Sequence, residues 1–363
     1  MNQDWVNKFK KAGLAASSDE LGNIGFLNAP VAGESAVGDP LGYAAPVLLD
    51  LSRLAVVDVT GADSTEFLQA QVCNDIDLLG SNTAQLNGYC NPKGRLMALF
   101  TVLETEHGLR LILPDDIAET FVKRLRMYVL RKQVTIEVRN DLVCCGLVLD
   151  GAAQNQLGDV AMPSWMPALP AEEMQITSSA DAVVVRCNNS KFGENVRTRY
   201  LIIGALDTLF ALWEHESMSH AAMPLWRWMD IYAGVPSVVA ASVEQFIPQM
   251  LNMQLIDGLS FKKGCYPGQE IVARMQYLGK LKKNMQLFRA PSMKSAPRPG
   301  EVITTDSNNN AGQVVDAVAD ANGVSLLAVV NIDVQANELQ LQGEALCSEP
   351  MPYSLAIDKA EQD

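Results

Sequence analysis

Within Lys262-Lys263-Gly264-Cys265-Tyr266-Pro267-Gly268-Gln269-Glu270 one thiol stands among two lysines and two glycines. The thiolate is the reactive form of cysteine, and neighbouring cations or free peptide N–H groups stabilise it. Cys265 is therefore the candidate nucleophile or redox contact, with Lys262 and Lys263 favouring its charged form. Gly264 and Gly268 open backbone torsions closed to other residues and let the chain approach a partner closely. From Gly268 to Tyr277 the spacing predicts a helix, with Ile271, Val272 and Met275 as its apolar stripe and Glu270 and Arg274 at i,i+4. The thiol then precedes a helix N-terminus, where the dipole favours an anion. The competing structural reading is a small buried hydrophobe under a turn.

A second candidate lies in Pro224–Pro236. Read as a helix, Leu225, Trp228, Met229 and Tyr232 share the core face, whereas Trp226 shares another face with Asp230 and Ala233. Such a tryptophan packs against a second subdomain or lines a cavity. No other pattern points to chemistry. The seven cysteines (73, 90, 144, 145, 187, 265 and 347) form no C-x-x-C pair, and the histidines at 107, 215 and 220 have no ligand-like spacing, so no metal site and no Cys-His dyad is expected. Cys144-Cys145 lies in an apolar run that reads as a buried strand.

The elements that must position these residues follow in order. A short amphipathic helix (Trp5, Val6, Phe9) opens residues 1–45, an extension expected to pack on the body. Val47–Ser52 and Leu54–Val59 read as strands. Asp63 with Glu66 three residues on reads as the N-cap of a helix from Ser64 to about Val72. Asn91-Pro92-Lys93-Gly94-Arg95 is a turn with basic residues, either a hairpin tip or an anion contact. Residues 97–150 alternate strand, helix and strand, with Asp115-Asp116 at a helix start and a basic run from Lys123 to Arg131 toward its end. After Lys283 short β-rich runs separated by Asn, Gly and Pro turns read as a small antiparallel barrel, with Asn308–Asn310 as one turn.

Composition bounds the function. At 363 residues and 48% apolar content the chain builds two or three cored domains. A net charge of -14 disfavours broad contact with nucleic acid, so no direct nucleic-acid partner is expected, and the basic clusters read as solvated faces. An odd cysteine count, no signal-like opening and no long apolar run favour a reducing cytoplasm over secretion or a membrane.

K-G-C-Y-P-G-Q-E-I-V-A-R (263–274) resembles the signature of the YgfZ family, folate-binding proteins related to the glycine-cleavage T-protein and to mitochondrial iron–sulfur assembly factors. L-D-L-S, V-T-G-A-D-S-x-x-F-L-Q and C-N-D-I (49–76) are similar to the T-protein opening, W-x-x-x-D-I-x-A-G-x-P (226–236) to a YgfZ block whose tryptophan is associated with folate, and E-P-M-P-Y-S-L (349–355) to the family's closing block. The likeness covers most of residues 47–355. It implies an α+β, T-protein-like body of two interleaved α+β subdomains (46–105 with 222–284, and 106–221), a C-terminal antiparallel β-barrel (285–357) and a tail (358–363).

The same resemblance implies a function. It is that of a folate-binding accessory protein, supporting iron–sulfur cluster assembly or repair in client enzymes, notably radical enzymes that modify tRNA. The cofactor would be tetrahydrofolate or a one-carbon derivative. Trp226 and Asp230 would meet the pterin, an aromatic face and a hydrogen-bonding edge respectively. Cys265 would act within a loop formed by Lys262, Lys263, Gly264, Tyr266, Gly268, Gln269, Glu270 and Arg274. The alternative is a tetrahydrofolate-dependent aminomethyltransferase or demethylase, but Met97 and Ala98 stand where aminomethyltransferases carry an aspartate pair. Two further departures are Leu54, at the place of a second family tryptophan, and Tyr232, at that of a T-protein glutamate.

Overall fold

The computed structural model describes residues 3–13, 15–18, 24–26, 40–42, 46–151, 162–214, 218–277, 279 and 281–356. Helix Gln3–Lys11 buries Trp5, Val6 and Phe9 completely or nearly so. The Trp5 indole N–H donates to Asp50 Oδ1 at 2.7 Å, tying the extension to the body.

A two-stranded antiparallel sheet, Ala15–Ser18 with Ile24–Phe26, precedes three larger ones. A five-stranded antiparallel sheet runs in the order Ala84–Cys90, Leu96–Thr105, Gly108–Pro114, Leu54–Thr60, Thr135–Val138. Its outer face is covered by helices Ser64–Gln69 and Asp115–Arg126 through Phe67, Leu68, Phe121 and Leu125. A six-stranded sheet runs Ile176–Ser178, Ala182–Phe192, Asn195–Ala205, Leu142–Asp150, Val47–Asp50, Ser219–Ala221, with only the last pair parallel. The N-terminal helix packs on one of its faces and helix Met223–Tyr232 on the other. Cys144 and Cys145 are both fully buried, pointing to opposite faces of this sheet as strand alternation requires. The third sheet has seven strands, is antiparallel and curls into a nearly closed C-terminal barrel. The α+β body and the C-terminal antiparallel barrel expected from the sequence are therefore present.

Three local expectations are corrected. The division of the body at residue 105 cuts through a sheet, because Gly108–Pro114 pairs with Leu96–Thr105 across a tight hairpin whose Gly108 has φ +147. Asp63 does not cap its helix; its carboxylate accepts from the Gln133 N–H at 2.7 Å instead. The asparagines at 308–310 begin a strand, Asn308–Asp320, and the turn falls just before them. Among the described residues no helix is long and apolar enough to cross a membrane.

Candidate functional site

Helix Met223–Tyr232 starts with Pro224 in its first turn, where the missing N–H costs nothing. It buries Leu225, Trp228 and Met229 as the stripe predicted. Trp226 leaves that stripe and, with Asp230, lines a cavity of about 310 Å³ between the two body sheets and the edge of the barrel. A volume of this size suits a small flat ligand.

The indole is held rather than free. A methyl group added at Gly146 would come within 2.8 Å of its ring carbons, so only glycine lets the ring lie against that strand. On its face the Arg199 guanidinium stands 4.8 Å from the centroid, a cation–π contact. Arg199 donates to Asp230 Oδ1 at 2.6 Å and to the Asn188 carbonyl at 3.0 Å. Its side chain is 1% exposed, and that of Asp230 26%. Because Asp230 lines the hollow, its exposed part faces the cavity. Burial raises its pKa and Arg199 opposes that rise.

Further ion pairs line the same cavity: Arg53 with Asp115 at 2.9 Å and Arg227 with Asp316. Met97 and Ala98 supply no carboxylate. Ala98 is fully buried, and Met97 packs against the outer core under helix Asp115–Arg126.

Sequence reasoning missed Arg199 and Asp316. Their legible signal is a charge inside an apolar strand, Tyr200–Ile203 after Arg199 and Val314-Val315 before Asp316. A charge there must have a buried partner.

The cysteine loop lies elsewhere. None of residues 262–274 lines the cavity, so Cys265 and Trp226 do not share one hollow. Cys265 is exposed, and Tyr266 behind it is buried. The predicted helix forms as Gln269–Tyr277, with Val272 fully buried and Ile271 at the surface. Glu270 and Arg274 are exposed, with no ion pair between them among the described residues. The Gln269 amide reaches back to the carbonyls of Lys263 and Gly264 at 3.4 Å each, which closes the loop on its helix.

Lys263 departs from its expected place beside the thiol. Its ammonium points inward and donates to the carbonyls of Gln69, Val72 and Asn74 at 2.7, 2.7 and 2.8 Å. Burial pulls its pKa down to about 8. Three carbonyl acceptors match the three N–H bonds of an ammonium and so hold the proton in place. Lys263 thus anchors the loop to the segment after helix Ser64–Gln69, and Lys262, which is exposed, remains the cation free to face the thiol. Lys263→Met should strand those carbonyls and cost about 3 kcal/mol, at about 1–3 kcal/mol for each buried unsatisfied group. A denaturant titration measures it, and an unchanged midpoint would remove the anchor.

The basic turn Asn91–Arg95 abuts the cysteine loop. Asn91 Oδ1 accepts from the N–H groups of Lys93 and Arg95 at 2.8 and 3.1 Å, which shapes the tip. Gly268, at φ +84, lies so close that a methyl group there would sit 2.4 Å from the Asn91 carbonyl oxygen. Two loops distant in sequence thereby form one surface around Cys265. Gly268→Ala adds both a clash and a disfavoured torsion, and should destabilise the protein by about 2 kcal/mol or more. Denaturation monitored by far-ultraviolet dichroism gives the value, and a loss below half of it would mean the two loops are not in contact.

The chain was compared with known proteins. No family model matches it. It is 32% identical over 324 residues to the tRNA-modifying protein YgfZ of Yersinia pestis (strain Pestoides F), covering 86% of this chain and 94% of that one. To the tRNA-modifying protein YgfZ of Yersinia enterocolitica (serotype O:8 / biotype 1B) it is 31% identical over the same shares. Among solved structures, the glycine cleavage system aminomethyltransferase T from Bartonella henselae superposes with a TM-score of 0.65 at 15% identity, over 96% of both chains. That likeness concerns the fold.

Proposed function

This chain belongs to the YgfZ family of tRNA-modifying proteins, and from that premise we propose that it is a folate-binding accessory protein, acting in the cytoplasm to support iron–sulfur clusters in client enzymes that modify tRNA. The observation that carries the folate half is the cavity lined by Trp226, Arg199 and Asp230. Its wall offers an aromatic ring, guanidinium donors and a carboxylate acceptor within one hollow, the group types that a flat, polar-edged pterin requires. Tetrahydrofolate or a one-carbon derivative would be held there by Trp226 and Asp230, and Arg199 would fix both. A reduced folate supplies one-carbon or redox chemistry when bound; the chain's own part is to orient it and exclude water.

The client half rests on Cys265. Its exposure lets another protein's sulfur reach it. In exchange with a client or low-molecular-weight disulfide, the Cys265 thiolate forms a bond to one sulfur as the old S–S bond breaks, and the other sulfur leaves as thiolate. The protein then serves by contact with enzymes.

Aminomethyl transfer or demethylation is the weaker reading, since Asp115, Asp230 and Asp316 are each paired with an arginine and no carboxylate stands at 97 or 98. Formation of product from N-methyl substrates with added tetrahydrofolate would reverse that order.

The reactivity of the thiol is checked by alkylation. Cys265, as an exposed thiol, should react with iodoacetamide at pH 7 about as fast as free cysteine, the exposed Cys347 being replaced by serine for the assay. Slower reaction at Cys265 would contradict the assignment.

A further inference from the structure

The basic run noted in the sequence is not a plain solvated face. Between Thr120 and Ile136 the chain carries Lys123, Arg124, Arg126, Arg131 and Lys132 with no carboxylate, on a protein of net charge -14. Interleaved with these cations are large apolar side chains that the fold leaves at the surface: Met127 is 60% exposed, Tyr128 40% and Leu130 88%. Leu130 holds φ +48, a left-handed torsion unusual for leucine, so the turn displays that side chain at some cost in strain. Of the cations, Lys132 pairs with Glu66, whereas Arg124 and Arg126 bond only to uncharged oxygens, the Tyr89 hydroxyl and the Ile136 carbonyl. Arg126 has no ion pair among the described residues, and Arg124 feels the charge of Glu244 without bonding to it.

Beside the run lies a second slot of about 250 Å³, which shares only Asp116 with the lining of the Trp226 cavity. Met97, Ile117, Phe121 and Val243 form its apolar walls, Tyr89 and Arg124 give it a polar edge at one end, and Asp116, which accepts from the Ala240 N–H, offers a base-edge acceptor at the other. Arg124 belongs to both the slot and the basic run. Residues 117, 121 and 124 share one helix face by spacing, and Tyr128 follows in the turn just beyond the helix end.

We propose that this surface binds single-stranded or looped RNA, one base entering the slot or stacking at its mouth while the phosphates rest on Lys123, Arg126 and Arg131. Cations beside an aromatic face and a flat apolar slot are the parts that grip an unstacked base and its backbone. An anionic bilayer suits the surface less well, since a flat membrane would also approach the acidic remainder of the body, whereas the tip of an RNA loop meets the patch alone. The net-charge argument against nucleic acid concerns the surface taken whole; the local field has the opposite sign. This inference is independent of folate binding and of the thiol.

The test uses a fluorescein-labelled, unmodified tRNA transcript and the full-length protein, read by anisotropy. Contacts to about three phosphates should weaken binding roughly tenfold to twentyfold between about 50 and 200 mM salt. The surface pair Lys123→Glu/Arg131→Glu should lose at least tenfold in affinity at low salt. Thr120→Trp, which places a ring at the slot mouth from an exposed position, should lose several-fold and keep the salt slope. Both variants are first checked for an unchanged melting temperature, and Cys265→Ala should bind as the parent does. Equal binding by the charge-reversed pair, or no binding of the transcript at low salt, overturns the proposal. So does binding of phosphatidylserine vesicles or of polyglutamate to a protein that ignores the transcript.

Discussion

Cys265→Ala should abolish the support of iron–sulfur tRNA-modifying enzymes in cells that lack the native protein, while leaving the protein folded. The side chain is exposed, and surface substitutions away from special features change stability by only about 0.5 kcal/mol or less. Lys263 anchors the loop from beneath through its three carbonyl contacts, so the backbone around position 265 keeps its course in the variant. What disappears is the one group there that can exchange with sulfur. The measure is the content of cluster-dependent modified nucleosides in tRNA, expected to fall at least tenfold toward the level of the null strain. Cys265→Ser, which keeps size and polarity, should fall equally. Full restoration by either variant would leave the thiol without a role.

Arg199→Met should produce the largest loss of stability of any single change in the cavity. The guanidinium is almost wholly buried, bonds Asp230 and the Asn188 carbonyl, and covers the Trp226 ring. Removing one partner of a buried pair leaves the other charge uncompensated, at about 3–5 kcal/mol. For a chain of this size that corresponds to a fall in melting temperature of roughly 4–7 °C. The pH dependence has a definite sign. Burial already raises the folded pKa of Asp230 against the opposing Arg199, and without the arginine it rises further. A carboxyl so shifted is tolerated below the unfolded pKa, and that tolerance is lost as pH rises through the folded one. The gap between parent and variant should therefore narrow from pH 7 toward pH 4. Arg199→Met combined with Asp230→Leu should recover much of the loss, because no charge then remains unpaired. A loss below 1 kcal/mol, or a gap that widens in acid, would mean that the pair does not hold the cavity together.

How much of this was legible in the sequence depends on the range of each interaction. Cys265 and its helix stand out because glycines, cations and an apolar stripe lie within one short segment, and local spacing governs local structure. The same segment misleads on Lys263: its reach to Gln69, Val72 and Asn74 is a long-range contact, invisible until the helix Ser64–Gln69 is placed. Trp226 was separable from the core stripe by helical periodicity, yet its partner Arg199 comes from a strand of the sheet beneath the helix. That pairing needs the tertiary fold. The contact of the turn at Gly94 with Gly268 is of the same kind, two glycines far apart in the chain whose missing side chains matter only once they meet. The failed cap at Asp63 shows the converse, a local rule overridden when the Gln133 N–H, brought in from a distant loop, takes the same acceptor.

The central claim is that the hollow beside Trp226 is a folate site distinct from the cysteine loop. Isothermal titration of tetrahydrofolate under anaerobic conditions into the parent, Trp226→Ala and Cys265→Ala tests it most directly. The account predicts one site per chain in the parent, a loss of at least tenfold in affinity for Trp226→Ala with the fold retained, and unchanged binding for Cys265→Ala. Equal affinity in parent and folded Trp226→Ala, or loss of binding in Cys265→Ala alone, would contradict it.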